Sequence, residues 1–259
     1  MVISLKNANK IFNRKKVLDD VSVRFPNGKI SVVVGAHGSG KTTLLRLLIG
    51  ELKPDSGRVF ARKGATKAFA SENGDFFAGL KIADHCTIWS LLYRGFDAKK
   101  FRTLLSEAGI AETNKFSNLS DGMKTWIGIS FVVASDADIM IFDEPMLHLE
   151  SEIKIKFINI AEKLAEKGKT VVIGSQEIGE LEKSAAFVAA LNNGVLVLAG
   201  ETEKLLVSHR LMPGASTMSP DFKVIGPVLN ERLVETTDEV GRNAALKEII
   251  SGYINGSSS

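Results

Sequence analysis

Apolar positions along this chain switch between a two-residue and a three-to-four-residue period. Short apolar stretches at Ile3–Leu5 and Val21–Phe25 make the first thirty residues β-rich, and Asn27-Gly28 after them reads as a hairpin turn, because both residues tolerate positive φ. Ile30–Val34 (ISVVV) is a continuous β-branched run, the pattern of a strand covered on both faces. A leucine-rich helix is predicted over Lys41–Ile49, stopped by Gly50. Pro54-Asp55-Ser56-Gly57 then turns the chain into a strand near Arg58–Ala61. Residues 83–118 are mostly helical in pattern, and Ser120 is placed to cap a helix over Met123–Ala134. Ala137–Phe142 (ADIMIF) and Thr170–Ile173 are two further buried strands. Between them Ile153, Phe157, Ile160, Ala161 and Leu164 form one helical stripe, which Gly168 ends. Phe187–Leu191, Asn193-Gly194 and Val195–Leu198 read as a closing hairpin.

Strands alternating with helices imply an α/β fold with a mostly parallel sheet. From about Leu205 the texture changes. Residues 209–221 hold two prolines and several serines and read as a linker, after which Glu231–Asp238 and Arg242–Ile254 form a short strand and a helix of a small extension. Composition adds little to this picture: 44% hydrophobic and 24% charged residues are those of an ordinary globular chain. A net charge of +3 is too small to argue for nucleic acid. The single Cys86 excludes a disulfide framework, fits a reducing compartment, and has no neighbouring ligand spacing, so it reads as a packing thiol. Ile127–Ala134, the longest apolar run, is too short to span a bilayer, and the N-terminus lacks a signal peptide's apolar core. Any membrane role would need another chain.

The chemistry concentrates at two points. Gly35-Ala36-His37-Gly38-Ser39-Gly40-Lys41-Thr42 fits GxxxxGK[ST] directly between a strand and a helix, which is the context that pattern needs. Glycines let backbone N–H groups wrap a phosphate, Lys41 can reach the β- and γ-phosphates, and the Thr42 hydroxyl can ligate Mg²⁺. Thr43 continues the loop into the helix. Asp143-Glu144 ends the second buried strand: the aspartate is suited to Mg²⁺ and the glutamate to polarising an attacking water. ATP with Mg²⁺ is the expected ligand.

The segment between these points narrows the choice. Asn118-Leu119-Ser120-Asp121-Gly122-Met123 resembles the signature of ATP-binding cassette (ABC) proteins, and the resemblance extends over most of residues 2–205. Leu5–Val21, with Phe12, looks like the family's opening, where an aromatic stacks on adenine. Leu52–Gly57 resembles its turn after the P-loop helix, Ile141–Pro145 (IFDEP) its Mg²⁺ strand, and Leu191–Gly200 its closing hairpin. The resemblance implies a P-loop NTPase with a RecA-like sheet, an N-terminal antiparallel β subdomain and a helical insertion at about 78–135. Residues 1–204 would form the ATP-binding domain and 205–259 a linker and extension. It also implies a head-to-tail dimer, homomeric or heteromeric, in which Ser120 and Gly122 of one chain approach the γ-phosphate held by the other. A membrane permease subunit is the further partner, no nucleic acid is expected, and the location is cytoplasmic, peripheral on the inner face of the membrane. Leu91–Leu105 and LSDGM look similar to ATPases of exporters with separate permeases.

Several positions depart from the family's pattern. Glu72 stands where its Q-loop glutamine falls, as a candidate metal and catalytic contact; Gln176 stands at the switch histidine; and Glu150 at the D-loop aspartate. Gln176 can donate a hydrogen bond to a γ-phosphate but cannot carry positive charge. Asp121 replaces a signature glycine and reads as a carboxylate favoured by the first turn of a helix. His37 sits where asparagine is common, as a tolerated loop residue, and Phe12 is either an adenine stacker or a core aromatic. These departures predict slow hydrolysis. They leave open an ATP-binding regulatory subunit with little or no turnover, and a soluble ABC protein acting on ribosomes or DNA as a weaker third reading.

Overall fold

The computed structural model describes residues 3–71, 76–213, 223–236, 238 and 241–257. In chain order these form β1 (Ile3–Phe12), β2 (Lys15–Phe25), β3 (Ile30–Val34), α1 (Lys41–Ile49), β4 (Ser56–Ala61), β5 (Lys67–Ala70), α2 (Ile82–Leu92), α3 (Ala98–Glu107), α4 (Asp121–Ala134), β6 (Ile139–Asp143), α5 (Ser151–Glu166), β7 (Thr170–Ser175), β8 (Phe187–Asn192), β9 (Val195–Glu201), α6 (Thr202–Ser208), β10 (His209–Pro213), β11 (Lys223–Val228), β12 (Glu231–Glu235), β13 (Arg242–Asn243) and α7 (Leu246–Gly256).

A six-stranded sheet in the order β5-β6-β7-β3-β8-β9 carries the nucleotide motifs, with every neighbouring pair parallel except β8-β9. Its central strands are buried on both faces, as their unbroken apolar runs require. Alternate residues serve two cores. Val32, Val34, Met140, Phe142, Val171 and Ile173 face α4 and α5, whereas Val33, Ile139, Ile141 and Val172 face α1 and the antiparallel sheet β2-β1-β4. Residues 82–134 form the helical region, where Trp89, Phe101, Phe116 and Phe131 cluster around Phe76. Cys86 is buried in the same region, and burial pushes its thiol up.

Three sequence expectations are corrected. The opening strands are far longer than their apolar stretches, because β1 and β2 close at Asn13-Arg14, both at positive φ, with irregular register along the pair. Asn27-Gly28 is not a hairpin turn: Gly28 takes φ 64°, but β2 and β3 on either side enter different sheets. The stretch read as a linker begins as strand β10, and β11 was not anticipated. Together with β12 and β13 these strands make a four-stranded sheet ordered β11-β12-β10-β13 under α7. Its core of Leu211, Leu233, Leu246 and Ile249 assembles from positions far apart in sequence, so no local periodicity announces it.

His209 joins this module to α6. Its ring is buried, with Nδ1 2.9 Å from the Leu205 carbonyl and Nε2 3.2 Å from the Tyr253 hydroxyl. Desolvation holds the imidazole below its ordinary value, against the Leu205 hydrogen bond and the Glu235 charge, which raise it; Lys223 lowers it further. The unfolded chain takes up this proton near pH 6.5. His209 therefore supports the fold fully above that pH, and the contribution is lost as pH falls through it. Protection of α7 amides, taken relative to intrinsic exchange at each pH, should be lower at pH 5.5 than at pH 7.5, and His209→Gln should remove most of the difference. Equal protection at both pH values would contradict this.

Candidate functional site

The P-loop spans Gly35 to Thr42 between β3 and α1, and two elements hold its shape. The Gly194 N–H donates to the Ser39 carbonyl at 2.9 Å, tying the loop to the β8-β9 turn, and the Gly35 N–H donates to Ser175 O at 3.3 Å. Gly40 takes φ 106°, and a Cβ there would lie 2.8 Å from both Leu18 Cδ2 and Val17 O, so only glycine fits. Ala36, His37 and Gly38 form the exposed crest, while Gly35, Ser39, Gly40 and Lys41 are buried and Thr43 is half-buried.

The acidic strand end meets this loop directly. The Thr42 hydroxyl donates to Asp143 Oδ2 at 2.6 Å, and Lys41 Nζ lies 3.1 Å from Glu144 Oε1. Lys41 also donates to the carbonyls of Gly35 at 2.7 Å and Ala36 at 3.2 Å. Glu144, only 8% exposed, takes φ 48°, a left-handed conformation that costs a non-glycine residue energy and marks functional positions. Its N–H donates to the Gly174 carbonyl at 2.9 Å, and its Oε2 accepts the Gln176 N–H at 3.2 Å. Gly174 was not visible as a site residue in the sequence. A Cβ there would lie 3.0 Å from Asp143 Oδ1 and 2.8 Å from Leu45 Cδ1, so a larger residue in β7 would push on the Asp143 carboxylate and Leu45.

Two features fit an incoming phosphate and a hard cation. Ser39 Oγ is buried without a hydrogen-bond partner among the described residues, which is costly unless an external group engages it. Thr42 and Asp143 together present hydroxyl and carboxylate oxygens, the donor type Mg²⁺ takes alongside phosphate oxygens and water.

The signature segment lies elsewhere. Ser120 caps α4, its Oγ accepting the Met123 N–H at 3.2 Å. Asp121 sits in the first turn, as expected, and pairs with Lys124 at 3.1 Å. A Cβ on Gly122 would sit 2.6 Å from the His148 carbonyl, so this glycine lets α4 touch the loop ahead of α5. Ser120, Gly122, His148 and the exposed Glu150 line one open cavity of about 430 Å³. Among the described residues neither Ser120 nor Gly122 is hydrogen-bonded to the P-loop. Phe12 is exposed at the tip of β1, with Lys10 Nζ 5.2 Å from its ring centroid. It is therefore not a core aromatic. The Gln176 side chain is exposed beside Glu144, and Glu72 lies outside the described residues.

Comparison with known proteins agrees with this geometry. The ABC transporter family pattern matches residues 18–147. The glutamine transport ATP-binding protein GlnQ of Escherichia coli (strain K12) is 30% identical over 224 residues, covering 79% of this chain and 93% of that protein. The energy-coupling factor transporter ATP-binding protein EcfA1 of Thermotoga maritima is 29% identical over 222 residues, covering 80% and 84%. A solved dimeric ATP-binding cassette, in a post-hydrolysis state bound to ADP and Pi, superposes with a TM-score of 0.70 at 21% identity, covering 77% of this chain and 98% of that one. From its P-loop to its acidic strand the chain carries the family's pattern on the family's fold, and it belongs to the ATP-binding domains of ABC transporters, the ATPases that serve as those transporters' ATP-binding subunits.

Proposed function

We propose that this chain powers a separate membrane permease by ATP-driven closure of a cassette dimer, with hydrolysis slowed by its altered γ-phosphate contacts. One observation carries the reading: two neighbouring pairs of side chains, Lys41 with Thr42 and Asp143 with Glu144, separated by some 101 positions in sequence, meet within hydrogen-bonding distance at one strand end. Lys41 would leave Glu144 for the β- and γ-phosphates, and the P-loop N–H groups would hold the same oxygens. Mg²⁺ held by Thr42 and Asp143 would supply charge neutralisation on the phosphates. Glu144, already anchored by the Gln176 N–H, would orient and deprotonate water. Residues 1–204 form the ATP-binding unit in this reading and 205–259 an accessory module, although α6 runs across that division.

Closure would bring Ser120 and Gly122 of a second cassette subunit onto the bound γ-phosphate, a reading supported by the open cavity they line, which holds no P-loop residue. No helix among the described residues is long and apolar enough to cross a membrane, which fits a cytoplasmic subunit held at the membrane by its permease. The sequence expectation of export gains no support from the relatives: those whose names state a direction are sulfate/thiosulfate and methionine import proteins.

Gln176 and Glu150 also favour a second reading, an ATP-binding regulatory subunit with little turnover. Loss of one stabilising donor or charge costs an enzyme about 10²–10³ in rate, and a neutral glutamine keeps part of that. Single-turnover hydrolysis should rise about tenfold or more in Gln176→His, within that range, with MgATP affinity little changed. A falling rate would reject the slow-hydrolysis reading.

A further inference from the structure

We propose that the solvent face of the β2-β1-β4 sheet is a docking surface for anionic phospholipid headgroups, separate from the nucleotide site. The charge of this chain is unevenly spread. Residues 1–63 carry 13 Lys and Arg against four Asp and Glu, whereas residues 64–259 carry 20 against 26. Such asymmetry points to a polyanionic surface as partner.

Several of these cations are paired, Lys41 with Glu144, Arg46 with Glu51 and Arg62 with Asp138, but Lys6, Arg24 and Arg58 share one side of the sheet. Ile3, Leu5, Val23 and Phe25 point into the core, so the alternate positions Lys6, Ser22 and Arg24 face outward, with Ser4 on the same side but buried. Arg24, Ser4 and Phe60 are direct cross-strand neighbours, and Lys6 lies opposite Arg58. Like charges directly opposite each other destabilise a sheet. Among the described residues the side chains of Lys6, Arg24 and Arg58 have no ion pair or hydrogen bond that would relieve this. Of the sheet's acids, Asp20 borders the patch and accepts from Asn7, while Asp19 pairs with Lys16 and Asp55 with Lys10 and the Ile11 N–H.

Phe60 stands 39% exposed in the same patch, and Ser4, Lys6, Ser22, Arg24 and Phe60 line a shallow depression of about 650 Å³. With strands about 4.8 Å apart, the cations spread over roughly 10 Å of open sheet, a spacing suited to neighbouring headgroups. Phe60 is the one aromatic lining this depression and can dip into the headgroup–acyl boundary, whereas single-stranded nucleic acid needs successive aromatic platforms. The inference rests on the membrane-peripheral reading for its setting only, since it concerns the chain without nucleotide or permease.

The test is co-sedimentation of the purified full chain with vesicles of phosphatidylcholine alone or mixed with phosphatidylserine. Binding is expected only to the mixed vesicles and should vanish at about 1 M salt, where the screening length is about 3 Å. Lys6→Gln/Arg24→Gln/Arg58→Gln should weaken partition by about fivefold per residue, about a hundredfold together, while MgATP affinity stays unchanged and reports an intact fold. Sedimentation with phosphatidylcholine alone, no sedimentation of the wild type, or undiminished binding of the triple variant would each overturn the proposal. So would release from mixed vesicles by polyuridylate at equal phosphate concentration, which would hand the face to nucleic acid. Loss of ATP binding with vesicle binding intact would sink the transporter reading instead and leave this one standing.

Discussion

Lys41→Ala is expected to weaken MgATP binding by about 100-fold or more, the loss of a charge-assisted contact to the phosphates. The structure gives the variant a second consequence. Lys41 is the cation paired with the buried Glu144, and it also bonds the Gly35 and Ala36 carbonyls. Removing it leaves a carboxylate, 8% exposed, whose remaining hydrogen-bond partner among the described residues is the Gln176 N–H, beside the place the γ-phosphate must enter. Repulsion then adds to the lost attraction. Calorimetric titration measures the affinity, and circular dichroism checks that the variant is folded. An affinity equal to wild type would mean that nucleotide binds somewhere other than the P-loop.

Glu144→Gln should lower hydrolysis by about 10²–10⁴-fold, the usual worth of a positioned general base, without loss of affinity. The 3.1 Å pair with Lys41 suggests a further gain. The carboxylate competes with phosphate oxygens for the same ammonium, and a neutral amide competes less. The variant should bind MgATP at least as tightly as wild type and elute as a dimer in size-exclusion chromatography with MgATP. A folded variant that binds MgATP but stays monomeric at high concentration would show that closure needs a different partner chain. Tightly bound ATP turned over at the wild-type rate would remove Glu144 from the chemistry.

The two variants together test one arrangement from opposite sides. Thr42 and Asp143 hold each other, as do Lys41 and Glu144, so the site is pre-assembled by exchangeable contacts. A phosphate and a hard cation would each replace a protein–protein contact with a stronger one of the same type, and the scaffold would not need to be rebuilt on binding.

Much of this was legible from local chemistry. The runs ISVVV and IMIF have only one stable use, as central strands buried on both faces. The P-loop was readable because its glycines, lysine and threonine act within eight consecutive residues, and so was Ser120, because an N-cap acts on a backbone N–H three residues on. Asn193-Gly194 announced its hairpin for the same reason: both residues hold positive φ.

What tertiary structure alone decided involves pairings between distant positions. Asn27-Gly28 carries the same local signal as Asn193-Gly194, yet only the second closes a hairpin, because β3 finds its partners in β7 and β8 rather than in β2. The convergence of Lys41 on Glu144, the close packing of Gly174 against Asp143 and Leu45, and the contact of Gly122 with His148 arise from sheet order and helix placement. The row that sets Arg24, Ser4 and Phe60 side by side likewise exists only because β1 pairs with both β2 and β4. A sequence displays the preferences each residue imposes on its near neighbours. The contacts that bring charges, carboxylates and close backbone approaches together are chosen by burial of the whole chain, and that choice leaves no periodic trace in sequence.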